Sequence, residues 1–91
     1  MNLQELINDS QTTIVDVRTE GEFFEGNVHG SINIPLHEVA DRMEELKNMQ
    51  PLVVCCLSGG RSGQATAFLQ AKGCDQVYNG GGWEMVDTQK I

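Results

Sequence analysis

Pro51-Leu52-Val53-Val54-Cys55-Cys56-Leu57-Ser58-Gly59-Gly60-Arg61-Ser62 decides what kind of domain this chain forms. Leu52 to Leu57 is a continuous apolar run bounded by turn residues, the pattern of a central parallel strand buried on both faces. A Ser- and Gly-rich loop follows. Arg61 to Lys72 then carries Ala65, Ala67, Phe68, Leu69 and Ala71, and Gly73 is placed to end a helix. Strand, glycine loop and helix in that order mark an α/β domain. Ligands of such sheets sit outside the carboxyl ends of the strands.

The flanking sequence alternates short β-branched runs with helical spacing. Upstream, Leu3, Leu6 and Ile7 fit a short amphipathic helix, and Thr12 to Val17 reads as a strand. Glu20 to Glu25 is an acidic helical turn carrying Phe23 and Phe24, closed by Gly26. Ser31 to Ile34 is a second strand, stopped by Pro35. From Pro35 to Lys47, Leu36, Val39, Met43 and Leu46 are spaced as one helix with one buried face. Downstream, Gln76 to Tyr78 is the last strand, Asn79 to Gly82 a loop, and Trp83 to Gln89 a closing helical turn. Trp83 and the phenylalanines are expected in the core. The predicted fold is one α/β domain over residues 1–91, with a mainly parallel central sheet of four to five strands flanked by helices.

Ninety-one residues leave room for one domain. Six Lys and Arg stand against 13 Asp and Glu, a net charge of −7, which disfavours nucleic-acid backbones and anionic membranes as partners. MNLQELINDS has neither a basic nor an apolar signal region, and no apolar run approaches the roughly 20 residues of a bilayer span. Three cysteines, two of them adjacent, make a poor disulfide framework and point to a reducing, cytoplasmic setting. There is no Cys-x-x-Cys, and His29 and His37 are not spaced as a metal pair, so neither metal nor cofactor is expected.

The loop after the central strand carries the chemistry. Cys56 is placed at the carboxyl end of a buried strand. The glycines let successive N–H groups turn inward as an anion-binding nest, and the following helix adds unpaired N–H donors. A thiol there should ionise more readily than free cysteine. Arg61 adds a fixed cation. This arrangement suits a nucleophilic thiolate that passes through an anionic adduct, with Cys56 catalytic and Leu57, Ser58, Gly59, Gly60, Arg61 and Ser62 binding the substrate.

Val53 to Ser62, followed by Ala65, Ala67, Leu69 and Gly73, resembles the active-site strand, loop and helix of single-domain rhodaneses. Ile14-Val15-Asp16-Val17-Arg18, then Glu22, Phe23, Gly26 and Gly30-Ser31-Ile32-Asn33-Ile34-Pro35, is similar to that family's first motif, and Gly81-Gly82-Trp83 to its last. The resemblance runs from about Thr13 to Trp83. It departs from the family at His29, where proline is frequent, and at Asn27, where histidine is. What it implies is sulfur transfer. Cys56 would take the outer sulfur of a donor such as thiosulfate as a persulfide and pass it to cyanide, a thiol or a protein acceptor. The loop N–H groups would hold the charge, and Arg61 would orient an anionic donor.

Two alternatives stay open. Counted from Cys55, the spacing is Cys-x5-Arg-Ser, that of cysteine-dependent phosphatases and arsenate reductases, although Gly59 falls three residues after Cys56, as in sulfurtransferases. The other alternative is a persulfide carrier that works when docked to a partner. Strand alternation sends Cys55 and Cys56 to opposite faces, making Cys55 a core residue. Cys74 is a passive thiol or a second stop for the sulfur. Asp16, Arg18 and Glu22 are expected to pair with one another and with loop backbone, with Arg18 at most edging the mouth of the site. A domain this small with a one-loop site is expected to work as a monomer. Its acidity favours a neutral or protein-bound sulfur donor over free thiosulfate, whose turnover should be weak and only slightly salt-sensitive.

Overall fold

A computed structural model describes residues 1–91. Four strands, β1 (Thr13–Asp16), β2 (Ile32–Asn33), β3 (Leu52–Cys56) and β4 (Val77–Gly82), form one sheet in the order β2-β1-β3-β4. Every pairing is parallel. Parallel strands need crossover connections, and the helices that supply them cover both faces. The predicted α/β architecture is therefore the one observed, with four strands.

Strand alternation divides the core in two. Val53 and Cys55 point into a cluster with Leu6 and Ile7 from α1 (Leu3–Asn8), Ile14, Val28, and Val86 from α5 (Trp83–Gln89). Leu52, Val54 and Cys56 point into the other cluster, with Val15, Val17, Ile34, Val39, Leu46, and Ala65 and Leu69 from α4 (Gly60–Ala71). All five β3 residues are buried, which is why the strand reads as an unbroken apolar run. Each fully buried Val, Leu or Ile contributes about 1.5–3 kcal/mol relative to exposure.

Three expectations are corrected. Pro35 to Lys47 is not one helix. It is a 3-10 turn at Leu36–Glu38, a turn, and then α3 (Met43–Asn48). Val39 and Leu46 are buried and Leu36 and Met43 pack against the same cluster, so the face was legible. The continuity was not, because spacings of three and four are met as well by a tight turn followed by a helix. Asn79 to Gly82 is not a loop but the end of β4. A bulge shifts the register there, since Val54 pairs with Asn79 and Cys55 with Gly81. Phe24 is 79% exposed, and Trp83 is only partly buried, against the cluster that holds Cys55.

α2 (Glu20–Glu25) begins with a capping box. The Thr19 hydroxyl accepts from the Glu22 N–H, and the Glu22 carboxylate accepts from the Thr19 N–H. Gly73 adopts φ +96 where α4 ends, as expected. No helix is long and apolar enough to cross a membrane.

Candidate active site

β3 carries Cys56 to the carboxyl edge of the sheet, and the chain turns at once into α4. Gly59, at φ +104, lies in the left-handed region that glycine alone enters freely, and it caps the helix. That turn aims the Gly59 N–H at the Cys56 sulfur, 3.0 Å away. The Ser62 hydroxyl lies 3.3 Å from the same sulfur. Behind the loop, the bulged end of β4 packs so closely that a Cβ on Gly82 would meet the Leu57 carbonyl oxygen at 2.7 Å. Leu57 is 58% exposed at the rim, and Ser58 and Gly60 are exposed with it. Ser58, Gly59 and Ser62, three of the loop residues named from sequence, thus converge on one sulfur, itself buried.

Ser62 is buried and tied to a residue that local spacing did not reveal. Its hydroxyl donates to Asn79 Oδ1 at 2.7 Å when Cys56 is a thiol, and its single proton is free to turn to the sulfur when Cys56 is a thiolate. Asn79 is oriented by the Gly81 N–H, which donates to Oδ1 at 2.9 Å, and by its own amide, which donates to the Gly59 carbonyl at 3.3 Å. The β4 bulge therefore braces the loop from behind.

The two adjacent thiols have opposite electrostatics. Burial pushes the Cys56 thiol up, but hydrogen bonds from Ser62 and from the Gly59 and Ser58 N–H groups outweigh it and bring the thiol below its ordinary value. Cys55 is fully buried, and that burial, with the nearby Asp16 charge, pushes its thiol up to about 12. The nest of donors serves Cys56. The wider Cys-x5-Arg spacing from Cys55 has no counterpart in the geometry, since that side chain faces the opposite core cluster. Ser62→Ala removes one of the bonds favouring the thiolate. It is expected to raise the midpoint of the pH profile for Cys56 alkylation by iodoacetamide and to slow labelling at pH 7; an unchanged profile would remove Ser62 from the site.

Arg61 and Glu22 meet where no local spacing suggested it. Arg61 donates to both Glu22 carboxylate oxygens, at 2.7 and 3.0 Å, across 39 residues of sequence. The Arg61 bond, and then the capping bond from Thr19, hold the Glu22 carboxyl at about 2, well below the usual carboxylate range. Arg61 is therefore at the loop as expected, but its charge is already partnered, and Glu22 is not part of a closed set with Asp16 and Arg18.

Arg18 is structural, as expected. Its guanidinium grips Asp16 at 2.7–3.0 Å, donates to the Glu22 and Gly26 carbonyls, and lies 4.8 Å from the Trp83 ring centroid. Asp16 is fully buried and Arg18 nearly so, so this pair staples β1, α2 and α5 and does not line the mouth. Asn27 and His29 are exposed. Cys74 is buried beyond the far end of α4, whose 12 residues span roughly 18 Å. Burial raises its thiol, and the length of α4 between it and the loop disfavours direct sulfur passage from Cys56. No cluster of three or more His, Cys, Asp or Glu side chains is placed to hold a metal ion.

Residues 2–87 match the model of the rhodanese-like domain family. The chain is 36% identical over 80 residues to the thiosulfate sulfurtransferase PspE of Escherichia coli, covering 85% of this chain and 76% of that one. It is also 36% identical over 66 residues to the protein YqhL of Bacillus subtilis, covering 72% of this chain. There the match spans about half of the relative, 52% of its length. Among solved structures, a rhodanese with anions from E. coli superposes with a TM-score of 0.71 at 34% identity, covering 81% of this chain and 89% of that one.

Proposed function

The chain belongs to the rhodanese-like domain family, and from that premise we infer that it is a sulfurtransferase working through a persulfide on Cys56. The observation that carries this reading is the set of backbone N–H groups turned to the Cys56 sulfur, the Gly59 N–H at 3.0 Å foremost, with the Ser62 hydroxyl 3.3 Å away and able to turn its proton to a thiolate. They favour a thiolate before transfer and a persulfide anion after it.

With thiosulfate as donor, the Cys56 thiolate attacks the outer sulfur. A new S–S bond forms, the old one breaks, and its electron pair leaves with sulfite. Cyanide or a thiolate then attacks the outer persulfide sulfur, carrying it off and returning the Cys56 thiolate. Each step is a displacement at sulfur, so no net oxidant is needed. The small loop over a buried sulfur supports a single sulfur atom as the transferred group. Its acceptors are thiols, cyanide or the thiol of a protein, and the domain acts as a monomer in the cytoplasm.

Thiocyanate formation from thiosulfate and cyanide tests the reading. Turnover that disappears when Cys56 is blocked with iodoacetamide is the expected result. Phosphatase or arsenate-reducing activity without sulfur transfer from any donor would overturn it. A persulfide that forms on the protein but passes only to a protein thiol would mark it as a carrier.

A further inference from the structure

The Arg61–Glu22 pair changes what the loop can accept. Glu22 is not a loosely held surface acid. Its Oε1 also accepts from the Thr19 N–H and the Thr19 hydroxyl, both at 3.1 Å, so the bonds that start α2 also aim the carboxylate at Arg61. The nearby Asp16–Arg18 pair is closed on itself and supplies no spare cation. The recess beside Arg61 is lined by Val17, Thr19, Pro35, Leu36 and His37. His37 is its one other cation-capable side chain, and its Nε2 lies 3.7 Å from Glu38 Oε2. An incoming anion therefore meets an arginine that already has a carboxylate partner, beside a wall that is largely apolar.

We propose that Glu22 is a specificity-determining residue which, by partnering Arg61, turns the loop away from inorganic oxyanions and towards organic persulfides with an uncharged substituent. This rests on the sulfur-transfer reading and deepens it. Attack on thiosulfate gathers three negative charges in the loop, one from the thiolate and two from the donor, and releases sulfite. Attack on the outer sulfur of R–S–SH gathers one. A bond forms to that sulfur, its S–S bond to the inner sulfur breaks, RS⁻ leaves with the electron pair, and the proton stays on the Cys56 persulfide. The loop N–H donors suit a single charge. The additional two would call on Arg61, which Glu22 neutralises. Leu36, half-buried at that recess, offers contact surface to R.

Glu22→Gln removes the charge but keeps an oxygen for the Thr19 N–H, because glutamine also serves in a capping box. The first readout is alkylation of Cys56 by iodoacetate against iodoacetamide, reagents of nearly the same shape that differ in charge and need no sulfur transfer. The iodoacetate-to-iodoacetamide rate ratio is expected to rise about tenfold in Glu22→Gln at low salt, and the rise should shrink as salt is added. Glu22→Gln combined with Arg61→Ala should bring the ratio back to or below the wild-type value, which assigns the gain to the freed guanidinium. The second readout is donor choice. The ratio of kcat/KM for thiosulfate to that for the persulfide of 2-mercaptoethanol should rise about tenfold in Glu22→Gln, mostly through the KM for thiosulfate. An alkylation ratio that stays level or falls overturns the proposal, and so does a raised ratio with no change in donor choice. A raised alkylation ratio with neither donor used by wild type or variant overturns the sulfur-transfer reading instead.

Discussion

Cys56→Ser is expected to lower sulfur transfer at least about a thousandfold, because a hydroxyl in the same loop is not ionised near neutral pH and is a far weaker nucleophile. Cys55→Ser should behave differently. Its side chain lies in the cluster of Ile14, Val53 and Val86, away from the loop donors, so transfer should persist. The cost falls on folding, since a buried hydroxyl without a partner destabilises by about 1–3 kcal/mol. For a domain of this size that lowers Tm by roughly 4–8 °C for each kcal/mol. Thiocyanate assays and thermal melts of the two variants side by side check both statements. Lost transfer with an unchanged melt in Cys55→Ser would reverse the assignment.

The largest effect on stability is expected from Arg18→Met. Asp16 is fully buried, and removing its guanidinium leaves a carboxylate held only by the Arg18 backbone N–H at 3.0 Å. Breaking a buried pair from one side costs about 3–5 kcal/mol. The whole domain is worth roughly 5–15 kcal/mol, so the variant should melt far below the wild type or fail to fold cooperatively. The same change also removes the bonds to the Glu22 and Gly26 carbonyls and the stacking on Trp83. Replacing Asp16 with asparagine in the Arg18→Met background should recover part of the loss, because no unpaired charge then stays buried. Urea unfolding of the three proteins measures it. A single-variant loss below about 1 kcal/mol would show that the pair does not staple β1 to α2 and α5.

The parts of the fold legible in the sequence are those that a local pattern dictates. β3 is buried on both faces, so its residues had to be apolar without alternation, and Cys55 and Cys56 had to part to opposite clusters. Gly59 and Gly60 had to lie where the strand turns into α4. The features hidden from sequence arise from contacts between distant residues or from backbone irregularities that mimic other elements. Asn79-Gly80-Gly81-Gly82 has the composition of a turn, and pairing with β3 makes it a bulged strand. Thr19-x-x-Glu22 is a visible capping signal, but nothing near it indicates that the same carboxylate reaches Arg61. Asn79 reaches Ser62 across 17 residues in the same way. The candidate nucleophile and its loop were thus legible, while the groups that brace the loop and set its charge came from the fold.

The Arg61–Glu22 pair also sharpens what the acidity of the chain means. A net charge of −7 offers no long-range attraction to an anionic donor, and the loop's own arginine is neutralised within the site. Both underlie the proposal that uncharged or protein-bound sulfane sulfur is preferred over free thiosulfate.

Peptide mass spectrometry after brief exposure to the persulfide of 2-mercaptoethanol at neutral pH tests the central claim most directly, because it reports which thiol takes the sulfur. One additional sulfur atom on the peptide side chain of Cys56, with Cys55 and Cys74 unmodified, is the predicted result. Sulfur on Cys55 or Cys74 with Cys56 unmodified, or no uptake on any of the three from this donor or from thiosulfate, would contradict it.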